Sequence, residues 1–212
     1  MQPDSTAPNG NGCRSFSVVF IIGAPGAGKG TICTHLAEEY NLVHYSVGDG
    51  LRAWMRENRA TELATEIRNK LDNQGFLTSK ELNPFIYRAI LHAHNLGARG
   101  ILIDGYPRCT EQMESVRSWP FQDIVPLAPN SHGVLKLDVN PDVVLSFEIT
   151  KENAKARYLN RARDNNDSAA KFERRFAEYQ LETIPVAEVH QQKGILISVR
   201  STMPVLLSCS SV

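Results

Sequence analysis

Five short apolar runs punctuate the chain, at residues 17–22, 42–45, 101–103, 143–149 and 195–199. Runs of this length without strict polar alternation read as strands buried on both faces of a sheet. Helical patterns separate them. Residues 32–40 follow the first run, and Ala60, Leu63, Ala64, Ile67 and Leu71 form an apolar stripe with a period of about 3.6 residues. Thr78-Ser79-Lys80-Glu81 is a capping box ahead of Phe85, Ile86, Ala89, Ile90 and Ala93, which sets the start of another helix. Strands alternating with helices predict an α/β fold, a parallel sheet covered on both faces whose ligands lie beyond the carboxyl ends of the strands. Residues 114–142 break this rhythm. Pro120, Pro126, Pro129 and Pro141 exclude a continuous helix there, which predicts an inserted surface loop with a short strand near residues 134–139.

Composition narrows the class without naming a chemistry. The 212 residues suit one domain of moderate size, and 23 Lys+Arg balance 23 Asp+Glu, which disfavours a nucleic-acid-coating role. Cys13, Cys33, Cys109 and Cys209 lie far apart with no C-x-x-C pair, so neither a zinc site nor a disulfide framework is indicated and reduced, cytoplasmic thiols are expected. The apolar run at 18–22 is too short for a signal-peptide core, and no stretch is long enough to span a bilayer. Residues 1–15, rich in Pro, Asn, Gly, Ser and Thr with only Arg14 charged positively, read as a disordered tail. A monomer is expected, with no membrane partner.

Chemistry enters directly after the first strand. Gly23-Ala24-Pro25-Gly26-Ala27-Gly28-Lys29-Gly30-Thr31 precedes a helix, the strand–loop–helix setting of a phosphate-binding loop. Backbone amides and the helix N-terminus supply partial positive charge, and Lys29 can reach terminal phosphates as a compact point charge, so ATP is the natural guest. Gly30 stands where a Ser or Thr usually follows the lysine, and the hydroxyl comes one residue later at Thr31.

Two further strand ends carry an arginine. Tyr45-Ser46-Val47-Gly48-Asp49-Gly50-Leu51-Arg52 follows the second strand and Ile101-Leu102-Ile103-Asp104-Gly105-Tyr106-Pro107-Arg108 the third. Either arginine alone reads as a solvated charge; together they can clamp one phosphate with planar, bidentate forks. Asp104, ending an apolar strand, is placed to hold Mg²⁺ through water. Phosphoryl transfer needs alignment and charge neutralisation more than a nucleophilic side chain. Other catalytic patterns are missing: there is no Gly-x-Ser-x-Gly or His-Glu-x-x-His, and His92 and His94 are two apart and share no helix face.

On these motifs the chain resembles the adenylate kinase family of nucleoside monophosphate kinases, which includes the uridylate and cytidylate kinases, over residues 18–199. The resemblance implies a P-loop three-layer fold with a five-stranded parallel sheet, an NMP-binding helical insert at about 46–75 and a short lid at about 161–168. It implies the reaction ATP + NMP to ADP + NDP with Mg²⁺. Residues 23–31, with Lys29 on the phosphates and Arg157 packing on adenine, then bind ATP. Ser46, Val47, Arg52, Gly105, Arg108 and Gln112 bind the acceptor, with Gln112 reading its base. Lys29, Arg108, Arg161 and Arg175 serve catalysis, the last two flanking the lid. That lid is shortened here to Arg161-Ala162-Arg163-Asp164-Asn165-Asn166-Asp167, which leaves open whether Arg163 substitutes for the missing lid arginine, and residues 201–212 lack the amphipathic pattern of the family's last helix. Gln112, Tyr106 and Gly23-Ala24-Pro25 lean to AMP as acceptor, and Val47 leans to UMP or CMP. A nucleotide-binding relative with weak or lost catalysis is the further alternative.

Overall fold

The computed structural model describes residues 16–73, 77–119, 141–160 and 168–200. The expected tail at 1–15, the strand near 134–139, Arg161, Arg163 and the rest of the short lid up to 167, and the C-terminal segment from 201 lie outside the described residues.

Five parallel strands, β1 (Ser17–Gly23), β2 (Leu42–Ser46), β3 (Gly100–Asp104), β4 (Val143–Glu148) and β5 (Leu196–Arg200), form one sheet in the order β2-β3-β1-β4-β5. All five apolar runs are therefore strands, with ends displaced by a residue or so. The first four are each followed by helix: α1 (Lys29–Tyr40) after β1, α2 (Val47–Glu57), α3 (Glu62–Asn73) and α4 (Ser79–Asn95) after β2, and α5 (Thr110–Ser115) after β3. After β4 come α6 (Lys151–Asn160), α7 (Ala169–Glu178) and α8 (Ile184–Gln192). A π-helical stretch, Tyr179–Thr183, joins α7 to α8.

Side chains alternate across the sheet and feed two cores. Val18, Phe20, Ile22, Ile101 and Ile103 pack with Leu82, Ile86 and Ile90 of α4 on one face. Ile21, Leu102 and Phe147 pack with Cys33 of α1, Tyr158 of α6 and Phe172 of α7 on the other. The capping box at α4 is present, with Glu81 Oε2 accepting from the Thr78 amide at 2.8 Å.

Two expectations change. The stripe through α3 is narrower than its spacing suggests: Ala60 lies exposed in the turn before the helix and Leu63 is 43% exposed, while Ala64 and Ile67 are buried. Of the interruption expected at 114–142, residues 120–140 lie outside the described residues, and the part before them is structured. Glu114 and Ser115 complete α5, Val116–Ser118 form a 3₁₀ turn, and Val116 and Trp119 are buried. Trp119 stacks at its edge on Phe20 and Tyr87, so aromatic burial holds the end of this segment. At the far side, Asp142 returns to the sheet, its amide donating to the Val18 carbonyl and its Oδ2 accepting from the Val18 amide, both at 2.8 Å.

His190 on α8 is 1% exposed, and among the described residues neither of its ring nitrogens has a hydrogen-bond partner. Burial, reinforced by the Lys193 charge, pushes it down to about 4. The unfolded chain takes up this proton near pH 6.5 and the folded one resists until about 4, so folding stability falls as pH drops through that window. The expected loss is about 3 kcal/mol, at ~1.4 kcal/mol per pH unit. Urea unfolding at pH 7 and pH 4.5 measures it; His190→Leu should flatten the acid slope, and an unchanged slope would assign it to other groups.

Candidate active site

The loop between β1 and α1 is shaped by glycine. Gly26 has φ +82°, and a Cβ there would lie 2.2 Å from the Ala154 carbonyl oxygen of α6. The loop can rest on that backbone only without a side chain. Gly28 caps α1 in the left-handed region with no side-chain cap, and the first turn of α1 holds no acidic residue, so its amides keep their partial positive charge for an anion. The Lys29 ammonium donates to the carbonyls of Gly23 and Ala24, each at 2.9 Å, curling back over the loop. Arg157 of α6 reaches the same place: a Cβ on Gly28 would lie 3.6 Å from its Nη1.

Register brings the second cluster alongside. Asp104 at the end of β3 stands opposite both Ile21 of β1 and Ser46 of β2. The turn after β3 is pinned to β1, because the Gly105 amide donates to the Ile21 carbonyl at 2.9 Å and Tyr106 bridges Ile21. Arg108 folds back along this turn, its Nε donating to the Gly105 carbonyl at 2.9 Å. Its main chain is gripped twice: the amide donates to Gln112 Oε1 at 2.8 Å, and the carbonyl accepts from Thr183 Oγ1 of the π-helical stretch at 2.8 Å. On β2's side, Ser46 caps α2, accepting from the Asp49 amide at 3.3 Å. Arg52 lies over Gly48 and pairs with Asp49, and Val47 is buried. Arg175 of α7 donates to the Tyr158 hydroxyl at 3.3 Å.

Charge ties these residues into one region. Burial, then Arg175 and also Arg52, lower the pKa of Arg108, and Asp104 and Glu178 oppose them. Burial raises Glu178 against the pull of Arg108, Arg175 and Arg174. Like charges gathered in one pocket are repaid by an anion that all of them can hold. The sequence-predicted residues Arg52, Arg108, Asp104 and Arg175 thus share one electrostatic neighbourhood.

Gln112 has a role in the frame of the site. It is 1% exposed, and its amide spans two main-chain segments, accepting from Arg108 and donating from Nε2 to the Leu77 carbonyl at 2.9 Å. The structure therefore gives it a bracing contact with Arg108 that its spacing alone does not reveal. Thr183, Tyr158 and Glu178 were also silent in the sequence; for Thr183 the one signal is its position two residues before Pro185.

A glycine loop on the central parallel strand, a helix without side-chain cap and a lysine curled over the loop define a P-loop phosphate-binding α/β protein. The family model for adenylate kinase matches residues 21–195. The chain is 35% identical to an adenylate kinase of Synechococcus sp. (strain WH7803), over 85% of this chain and 88% of that protein. It is 30% identical to UMP-CMP kinase 1 of Oryza sativa subsp. japonica, over 86% of this chain and 67% of the relative. It is likewise 30% identical to a uridylate kinase of Saccharomyces cerevisiae (strain ATCC 204508 / S288c), over 87% of this chain and 82% of the relative. The chain belongs to the adenylate kinase family.

Proposed function

We propose that this protein transfers the γ-phosphoryl group of ATP to a nucleoside monophosphate, with AMP as the preferred acceptor and UMP or CMP as the alternative. The observation that carries the reading is the electrostatic grouping of Arg108 with Arg175, Arg52 and Asp104 at strand ends beside the phosphate loop. A transferring phosphoryl group spreads charge over its oxygens, and such an arrangement stabilises it without a nucleophilic side chain.

In this reading Lys29 exchanges the Gly23 and Ala24 carbonyls for ATP phosphate oxygens, and Arg157 lies against the adenine side of the loop. Arg52 and Arg108 hold the acceptor phosphate near Ser46 and Gly105. Arg175, with Arg161 across the short lid, brings positive charge onto the transferring group and helps exclude water. Asp104 fits a magnesium hydration shell, since its Oδ1 is buried with no hydrogen-bond partner among the described residues. When bound, Mg²⁺ supplies neutralisation of phosphate charge. A cytoplasmic monomer working in nucleotide biosynthesis completes the proposal.

Support for AMP comes from Gln112, Tyr106 and the Gly23-Ala24-Pro25 start of the loop; the Gln112 amide retains one N–H and one lone pair beyond its two hydrogen bonds. The buried Val47 supports a pyrimidine acceptor. A coupled ADP assay with ATP–Mg and AMP, UMP, CMP and GMP tests the reading. Turnover should be highest with AMP; turnover with UMP or CMP alone would move the assignment to the alternative. No turnover with any acceptor would leave a nucleotide-binding relative. Val47→Thr should raise the AMP-to-UMP ratio of kcat/KM several-fold, about 1 kcal/mol for one hydrogen bond. An unchanged ratio in competition would show that position 47 does not read the base.

A further inference from the structure

Cys33 of α1, His44 of β2 and Asp104 of β3 converge on the face of the sheet covered by α1. Their ligand atoms, the Cys33 Sγ, a His44 ring nitrogen and an Asp104 oxygen, all lie within 4.8 Å of one another. Register explains the meeting. His44 stands opposite Leu102 and Ser46 opposite Asp104, so His44 and Asp104 sit two residues apart on one face, and Leu102 packs in the same core as Cys33. Three separate rigid elements hold the three side chains, which suits a preformed site.

Two of these groups have polar atoms to offer. Asp104 is 9% exposed and, among the described residues, its Oδ1 has no hydrogen-bond partner; His44 Nε2 is buried and likewise has none among them. The His44 Nε2 to Asp104 Oδ2 separation is 3.5 Å, too long for an N–H···O bond. It is close to the ligand-to-ligand edge of a tetrahedral ion bound at about 2.0–2.3 Å. Sulfur, imidazole and carboxylate together match a borderline-soft d-block dication, whereas Mg²⁺ takes oxygen ligands only.

We propose that Cys33, His44 and Asp104 form a binding site for a thiophilic dication of the Zn²⁺ type, whose occupancy inhibits the enzyme by engaging Asp104. On binding, the sulfur–metal bond replaces the S–H bond of Cys33 and the proton passes to solvent; no redox change occurs. Three protein ligands leave a fourth position for water. Burial and then the Asp104 charge push the Cys33 thiol up to about 12, and the Lys29 charge opposes them, which links the site to the phosphate loop. The inhibitory consequence rests on the function proposed above; the binding itself does not.

Co²⁺ titration of the full chain, followed by absorbance, is the test. The wild type should bind one Co²⁺ with a sulfur-to-cobalt charge-transfer band and the intense visible bands of a tetrahedral ion, displaced by Zn²⁺ and not by excess Mg²⁺. Cys33→Ala should lose the charge-transfer band, and His44→Gln should bind about tenfold or more weakly, both retaining their ATP–Mg activity when Zn²⁺ and Co²⁺ are absent. Zn²⁺ should inhibit the wild type at concentrations that spare both variants. His44→Gln keeps the test decisive if Cys33→Ala, altered in the core, fails to fold. Absence of the band in the wild type, or an unchanged band in the variants from Cys13, Cys109 or Cys209, overturns the site. A wild type that binds Co²⁺ as described but phosphorylates no acceptor retains the site and refutes the function instead.

Discussion

Lys29→Ala should lower kcat for phosphoryl transfer by about 10²–10³-fold, the cost of removing one preorganised charge from a transition state. The same change should lower folding stability by no more than about 1–2 kcal/mol. The two bonds lost are to the Gly23 and Ala24 carbonyls at a partly exposed lysine, where water can replace the donor. Steady-state kinetics beside a thermal melt separates the two. A variant that keeps its rate would remove Lys29 from the phosphate site, and a variant that unfolds would make the lysine a strut of the loop.

Arg108→Lys should be nearly as damaging, lowering kcat/KM for the acceptor by about 10²-fold, although charge is conserved. The Arg108 Nε is committed to the Gly105 carbonyl, which leaves the two terminal nitrogens as a fork for phosphate. Lysine has one nitrogen and cannot serve both. KM for the acceptor should rise while KM for ATP moves little, and initial-rate kinetics with each substrate varied in turn reads this split. A change confined to ATP would place Arg108 on the donor side.

Much of this architecture is legible in the sequence because strands enclosed like β3 are short and continuously apolar, although the edge strand β5 is an apolar run that stays largely exposed. The phosphate loop is legible because its residues are contiguous and its geometry demands glycine, as at Gly26 against Ala154. What depends on contacts between distant segments is not legible. The resemblance implies a base-facing Gln112, but the bond from its amide to Leu77, 35 residues away, cannot be read from that motif. The burial of Trp119 hides behind the proline that follows it. Ala60 and Leu63 fit a helical period and still miss the core, since a period fixes a face but not how far its packing extends. Cysteine spacing gave no hint of the Cys33, His44 and Asp104 cluster, because each ligand comes from a different element and only strand register unites them.

The sheet order also dictates a timetable. β1 is the third strand from either edge of the sheet, yet it is the first to be made, and its neighbours are β3 and β4. During synthesis it has no partner until residues 100–104 exist, and it is not enclosed until 143–148 follow. Pairings between such distant segments form slowly, and an unpaired apolar strand is an aggregation hazard while it waits. The phosphate loop that β1 carries is therefore an early piece of the chain and a late piece of the fold, and a nascent chain stopped before β4 would have made every residue of that loop without the frame that shapes it.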